Sequence, residues 1–225
     1  MNLRLDWCSH EAAKYAVENW HYSKSAPFGK TVKIGAWEGN SFIGAVMFSP
    51  GISNNLGKPY GLESIEVTEL VRVALNNEHI TPTSKIVSIA IRLLKQQSEG
   101  LRLIVSFADT NQNHLGIIYQ ATNWVYAGMT PKSVAYLAPN GKIYHSRMVN
   151  TKGYKVDFGR QRKCYTPEEC KKIYLPGKHR YLMPLDKEMR KQIEPLRQPY
   201  PKRPKQATSP IQGDSGGAAP TRTLQ

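Results

Sequence analysis

The sequence predicts an α/β protein of the mixed α+β type, with a mixed central sheet flanked by helices and a basic C-terminal extension. Apolar periodicity between residues 66 and 127 switches repeatedly, in the order strand, helix, strand, helix, strand. A hairpin signal lies on each side of this central unit. Most of the formal net charge of +14 belongs to residues 150–205.

The first part of the chain is expected to form a helix and a hairpin. The helix covers residues 9–20. Two strand-like runs follow at 31–38 and 41–49, and Gly39-Asn40 between them favours a tight turn.

The central unit begins with a strand over residues 66–75 and a helix over 83–97. The helix has an apolar side, and Pro82 lies near its start, where proline is favoured. Thr83 or Ser84 is expected to cap it.

The next strand and helix carry the most informative residues. The apolar run 101–107 fits a buried strand, and turn-forming residues beginning with Asp109 follow it. Residues 112–122 have helical spacing and include Tyr119. An aspartate at the end of a strand and a tyrosine on the next helix can face one crevice, where open α/β sheets bind ligands.

The second hairpin pairs residues 133–138 with 142–149 around Pro139-Asn140-Gly141, a strong turn signal. Farther on, a capping pattern predicts a helix over 166–174. Asp186 can cap another helix over 187–193, and residues 177–181 read as a short basic connector.

These patterns divide the chain into a main domain over residues 1–150, a basic and partly helical extension over 151–205, and a flexible tail over 206–225 rich in small residues and proline. Residues 1–149 hold 14 Lys and Arg against 10 Asp and Glu, whereas residues 150–205 hold 16 against 6. A segment with this excess of positive charge, interleaved with aromatic side chains, favours a nucleic-acid partner over a merely solvated surface.

Three cysteines, Cys8, Cys164 and Cys170, make no even set of disulfides, so a reducing cytoplasm is expected. No signal-peptide pattern and no apolar run of about 18 residues, as a membrane-spanning helix needs, is found in the sequence. Cys164 and Cys170 with His179 could offer three zinc ligands, but structural or incidental thiols are the better interpretation.

The predicted order of elements resembles the GNAT N-acyltransferase fold. Four segments resemble more narrowly the Mom family of phage DNA-modification proteins: Trp-His-Tyr-Ser-Lys-Ser at 20–25, Glu-Leu-Val-Arg at 69–72, Ser-Phe-Ala-Asp at 106–109 and Gly-Ile-Ile-Tyr-Gln-Ala at 116–121. The resemblance covers about residues 7–150, which it identifies as a GNAT-like catalytic domain.

The Mom resemblance implies an enzyme that converts adenine N6 in DNA to an N6-carbamoylmethyl form and thereby protects phage DNA from host restriction. The partner would be double-stranded DNA with a flipped adenine, because the amine is otherwise paired inside the duplex. The product is an alkylated amine, which simple acetyl transfer does not give. Acetyl-CoA followed by rearrangement, a glycine-derived donor and a metal-assisted route therefore all stay open.

The resemblance and the local chemistry together select four candidate catalytic residues: His21, Tyr22, Asp109 and Tyr119. Asp109 could accept a hydrogen bond from an amine or could simply cap the following helix. Tyr119 could protonate a leaving group or belong to the core. His21 could be a base or a metal ligand, or an imidazolium that favours the end of its helix. Iron could be held by His21 and Tyr22 together with Asp109 and Tyr119.

Cofactor contacts are expected at Ser84 and Ser88, near the start of a helix whose free N–H groups could hold a phosphate. The loop 80–85 contains no glycine, whereas a typical GNAT loop reads Gln/Arg-x-x-Gly-x-Gly/Ala at this point. Contacts to DNA phosphates are expected from basic residues of the extension: Arg160, Arg162, Lys163, Lys171, Lys172, Lys178 and Arg180.

Two other classes of function stay open. A GNAT enzyme that acylates a small amine or a protein would need an intact coenzyme A loop and no basic arm. A non-catalytic DNA-binding protein on the same scaffold would use Asp109 only as a cap and Tyr119 only as a core residue.

Overall fold

The structure is a computed structural model that describes residues 2–27, 29–51, 55–157 and 159–202. The predicted tail at 206–225 lies outside the described residues. Among the described residues, no helix is long and apolar enough to cross a membrane.

Seven strands form the main sheet, in the order β1-β2-β3-β4-β5-β12-β6. Only β4 and β5 pair in parallel, and the other neighbours in this sheet are antiparallel. The predicted mixed central sheet with flanking helices is therefore confirmed. The strands of this sheet are β1 (Leu3–Trp7), β2 (Val32–Glu38), β3 (Ser41–Ser49), β4 (Val67–Leu75), β5 (Leu103–Ala108), β6 (Val125–Met129) and β12 (His179–Pro184).

The parallel pair β4–β5 is short. Its register covers residues 67–69 against 103–105 and then stops, although both strands continue. Beyond that point β4 stays paired with β3, and β5 stays paired with β12. The two strands therefore separate and leave an opening in the middle of the sheet.

Helices cover both faces of the main sheet. Helix α2 (Thr83–Gln97) packs with Ile104 and Tyr119 on one face. Helix α1 (His10–Trp20) and helix α4 (Lys187–Ile193) bury their apolar sides against the other face. The predictions for α1 and α4 are confirmed, since Ser9 and Asp186 are their N-caps.

Two small sheets complete the described fold. One has the order β11-β7-β8 and includes the predicted second hairpin. The other is a hairpin of β9 and β10, which the sequence analysis did not predict. The strands are β7 (Ser133–Leu137), β8 (Ile143–His145), β9 (Tyr154–Asp157), β10 (Arg160–Lys163) and β11 (Lys171–Leu175).

The prediction of a helix over residues 112–122 is wrong in its length. The structure has a 3-10 turn at Thr110–Gln112 and a single helical turn, α3, at Ile117–Gln120. Asn113 and Gly116 have positive φ angles of 54° and 71°, which interrupt a continuous helix. A Cβ at residue 116 would also collide with the ring of Tyr181, so glycine is required there.

Two predictions for the C-terminal extension are also wrong. The capping pattern does form, because Thr166 N–H donates to the Glu169 carboxylate and Glu169 N–H donates to the Thr166 hydroxyl. No helix follows it, since the next residues form β11 and pair with β7. Residues 177–181 are not a connector either: the chain enters β12 at His179, between β5 and β6 in the main sheet.

The expected cap of α2 is wrong as well. Pro82 occupies the N-cap position, and no side-chain cap bond forms there. Ser84 instead accepts a bond from the Ser88 hydroxyl at its carbonyl oxygen, over 2.8 Å.

Candidate active site

A crevice of about 920 Å³ opens where β4 and β5 separate. All four candidate catalytic residues, His21, Tyr22, Asp109 and Tyr119, line it. They come from the end of α1, the end of β5 and helix α3, so nearly 90 residues of sequence lie between the first pair and Asp109. One residue of each strand of the small sheet, Ser133 of β7, His145 of β8 and Leu175 of β11, also lines it.

His21 is held in one orientation. It is the C-cap of α1, and its Nδ1 accepts the backbone N–H of Ser23 over 3.1 Å. Burial, together with the positive charges of Arg72 and other neighbours, lowers the pKa of His21 to about 4. The imidazole is therefore neutral at pH 7, and the alternative of an imidazolium at the helix end is not supported.

Tyr22 lies at the mouth of the crevice. Its side chain is 48% exposed. The ring lies 4.3 Å from that of His21 and 5.0 Å, edge to face, from that of His114. Burial of the hydroxyl and the negative charge of Asp109 raise the pKa of Tyr22. A half-exposed ring supported by two imidazoles provides an apolar face on which a planar ligand could stack.

Asp109 caps a turn and also lines the crevice. One carboxylate oxygen accepts the N–H of Asn111 over 3.0 Å, so Asp109 caps the 3-10 turn. The other oxygen lies 3.4 Å from Nζ of Lys178. The Asp109 side chain nevertheless remains 18% exposed and lines the crevice. The cap and a contact with a ligand are therefore compatible.

Tyr119 belongs to the core and to the crevice wall. Its ring packs against Trp124 and Tyr181 at centroid distances of 4.9 and 5.0 Å. Its hydroxyl lies 2.7 Å from the Ser106 hydroxyl, which is itself 2.8 Å from the carbonyl oxygen of Leu70. Burial raises the pKa of Tyr119 to about 12, so this hydroxyl stays protonated at neutral pH.

The crevice also contains residues that were not selected as site residues. Glu69 and Arg72 line it from β4, and His114 and Arg147 line it from loops. Glu69 and Arg72 stand within a segment that carried the family resemblance, so a signal for them was present. No local pattern indicated Arg147, which reaches the crevice because a 3-10 turn follows β8.

The predicted DNA-binding residues fall into two groups. Arg160, Arg162 and Lys163 lie on β10, and Lys171 and Lys172 lie on β11, all of them exposed. The other two differ. Lys178 lines the crevice beside Asp109, and Arg180 is partly buried on β12, where it donates to the carbonyl oxygen of Ala127 over 2.9 Å.

The loop before α2 already binds a carboxylate of the chain itself. The Glu38 carboxylate already accepts the N–H groups of Ile80 and Thr81, at 3.1 and 2.6 Å. Pro82 has no N–H to offer. Ser84 and Ser88 are not among the described residues that line the crevice. The chain's own carboxylate thus takes up two backbone N–H groups of this loop.

No group of three His, Cys, Asp or Glu side chains within the described ranges is placed to hold a metal ion. Cys164 and Cys170, the two cysteines considered as zinc ligands, are free thiols, and His179 bonds to the Tyr126 hydroxyl over 2.9 Å. Iron at His21 and Tyr22 stays a prediction.

Comparison with known proteins gives one family and several similar structures. A model of the Mom protein family matches residues 2–202. The methylcarbamoylase Mom of Escherichia phage Mu is 25% identical over 208 residues, which cover 89% of this chain and 84% of that protein.

Solved acetyltransferases are similar at low identity. One from Bacillus subtilis, in complex with CoA, is 13% identical with a TM-score of 0.43, over 82% of this chain and 100% of that one. A putative acetyltransferase from Salmonella typhimurium with acetyl-CoA is 12% identical with a TM-score of 0.44, over 83% and 96%.

Proposed function

The chain belongs to the Mom protein family, and from this membership and the crevice we propose that it is a transferase that modifies DNA, converting adenine N6 to an N6-carbamoylmethyl form. The observation that carries the proposal is the meeting of His21, Tyr22, Asp109 and Tyr119 on one crevice, which is also lined by a residue of the basic strand β11. Such a modification would protect phage DNA from host restriction.

The crevice suits a base that has left the duplex. A flipped base needs a pocket with an aromatic surface and polar groups for its edge. The exposed ring of Tyr22 offers the surface, and Asp109 and Tyr119 offer the polar groups deeper in the crevice. Tyr22 is thus proposed to position the base.

At pH 7 the polar groups of the crevice differ in protonation state, and we propose different roles for them accordingly. Tyr119 is a hydroxyl that can donate a proton, because its pKa is raised. His21 is a neutral imidazole, because its pKa is lowered. Its Nδ1 accepts from Ser23, so Nε2 carries the proton and can donate a hydrogen bond. Asp109, held by Lys178, is placed to accept one from the substrate.

The basic strands are proposed to hold the DNA backbone. Five exposed cations on β10 and β11 lie outside the crevice, and the small sheet that carries β11 also forms one crevice wall. Contacts to phosphates of the duplex could therefore orient the target nucleotide without occupying its pocket.

The donor is proposed to bind elsewhere than the loop before α2, because Glu38 occupies that loop. Acetyl-CoA held in the usual GNAT manner would lack the N–H groups of Ile80 and Thr81 as donors. A glycine-derived donor remains an alternative, and no step is assigned to either molecule.

Mass spectrometry of nucleosides tests the proposal. DNA from cells that express the chain should contain N6-carbamoylmethyl deoxyadenosine, and DNA from cells that express an Asp109→Asn variant at equal level should not. Unmodified adenine in both samples, with soluble and folded protein, would contradict the proposed function.

A further inference from the structure

Glu69 occupies the point where the main sheet divides. It is the last residue of β4 that pairs with β5, opposite Val105, and on its other side it pairs with Ser49 of β3. From here β4 and β5 separate. The Glu69 side chain lines the crevice that opens between them.

The Glu69 carboxylate makes no hydrogen bond or ion pair to any residue in the described ranges of the chain. Three other acidic residues do have such partners. Glu38 accepts hydrogen bonds from two backbone N–H groups, Asp109 forms an ion pair with Lys178, and Asp186 forms one with Arg102 at 2.9 Å. Partial burial of a carboxylate costs free energy, and for Glu69 no hydrogen bond or ion pair within the described ranges offsets that cost.

The surroundings of Glu69 balance this cost only in part. Burial raises the pKa of the Glu69 carboxyl, and the positive charges of Lys178, Arg72 and Arg147 oppose that shift. All three cations line the same crevice. Glu69 is therefore a hydrogen-bond acceptor that shares the crevice with three cations and faces the space where a ligand would lie.

We propose that Glu69 determines base specificity: its carboxylate accepts a hydrogen bond from the exocyclic amine of the base in the crevice. This inference rests on the proposed function, since it assumes that a flipped adenine is the ligand. A base without the amine would leave the Glu69 carboxylate without a partner and would bind more weakly.

Binding of two single-stranded oligonucleotides tests the inference without knowledge of the target sequence. One is oligodeoxyadenylate, and the other has the same length but carries unsubstituted purine, which lacks the exocyclic amine. The full-length protein should bind the adenine strand about tenfold more tightly, as expected for one hydrogen bond to a charged group. Glu69→Met should bind both strands equally.

Glu63→Met is the matched control, because Glu63 is exposed and is not among the residues that line the crevice. It should keep the tenfold preference. Should Glu69→Met fail to fold in thermal unfolding, Glu69→Gln replaces it, and the preference should fall at least threefold because an amide is a weaker acceptor than a carboxylate.

Equal affinity of the unaltered protein for both strands, or a preference that survives substitution of Glu69, would overturn the inference. These results are distinct from failure of the proposed function. The protein could prefer the adenine strand through Glu69 and still leave cellular DNA unmodified. That result would support the role of Glu69 in recognition and would contradict only the proposed reaction.

Discussion

Nζ of Lys178 lies 3.4 Å from Oδ2 of Asp109. Lys178 immediately precedes β12 in the basic part of the chain, and Asp109 immediately follows β5 in the central unit. Because β12 pairs with β5 along its length, this contact places a cation of the C-terminal segment inside the crevice. That segment therefore contributes to the candidate site as well as to the basic surface.

The first prediction concerns Asp109. Substitutions can separate its role as the cap of a turn from its role as the carboxylate in contact with Lys178. Asp109→Asn should abolish modification of DNA while thermal unfolding stays close to that of the unaltered protein, because asparagine caps as well as aspartate. Asp109→Ala should lose modification and also about 1 kcal/mol of unfolding free energy with the cap. Normal modification by the asparagine variant would remove Asp109 from the catalytic residues.

The contact between the hydroxyls of Ser106 and Tyr119 predicts that removal of either hydroxyl lowers the stability of the fold. Tyr119→Phe should abolish modification and lower the free energy of unfolding by about 1 kcal/mol, because the buried Ser106 hydroxyl loses a neighbour. Ser106→Ala should have a similar effect on stability, and the double variant should cost less than the sum of the two. Additive losses in chemical denaturation would show that the hydroxyls are not coupled.

The exposed lysines of β11 should set part of the salt dependence of DNA binding. Replacing Lys171 and Lys172 by glutamine should reduce the slope of log K against log salt by about 1.8, since each phosphate contact contributes about 0.9. The control replaces Lys187 and Lys191 on α4, which removes the same charge, and should leave the slope unchanged. Equal slopes for both double variants would contradict the assignment.

Arg180 should behave differently from those lysines. It is partly buried, its Nη2 bonds to Ala127, and its Nε is buried without a hydrogen-bond partner in the described structure. Arg180→Met should therefore leave the salt slope of DNA binding within experimental error. A reduction of the slope by about 0.9 would restore Arg180 as a phosphate contact.

Glu69 predicts an unusual dependence of stability on pH. Its pKa is raised in the folded state, so the folded protein binds more protons than the unfolded chain above the ordinary value of 4.5, and stability falls as pH rises through that window. Glu69→Gln removes this effect and should unfold at a higher temperature at pH 7. The difference should shrink as the pH falls toward 4.5, and a constant difference across that range would contradict the prediction.

The sequence determined much of the fold because most elements have a local signal. Ser9 and Asp186 cap the helices expected there, and the turn at Gly39-Asn40 joins two antiparallel strands. Alternating apolar periodicity also located β4, α2 and β5 to within about two residues, as such patterns usually allow. The candidate residues at the end of β5 and after α1 likewise have a signal in the sequence alone.

Tertiary structure decided what local patterns do not contain. The capping bonds between Thr166 and Glu169 form as expected, yet residues 171–175 become a strand because β7 offers them a partner. Residues 179–184 become a central strand because β5 and β6 lie on either side. Backbone pairing joins residues far apart in sequence, and the crevice with Glu69 and Lys178 exists only where that pairing stops between β4 and β5.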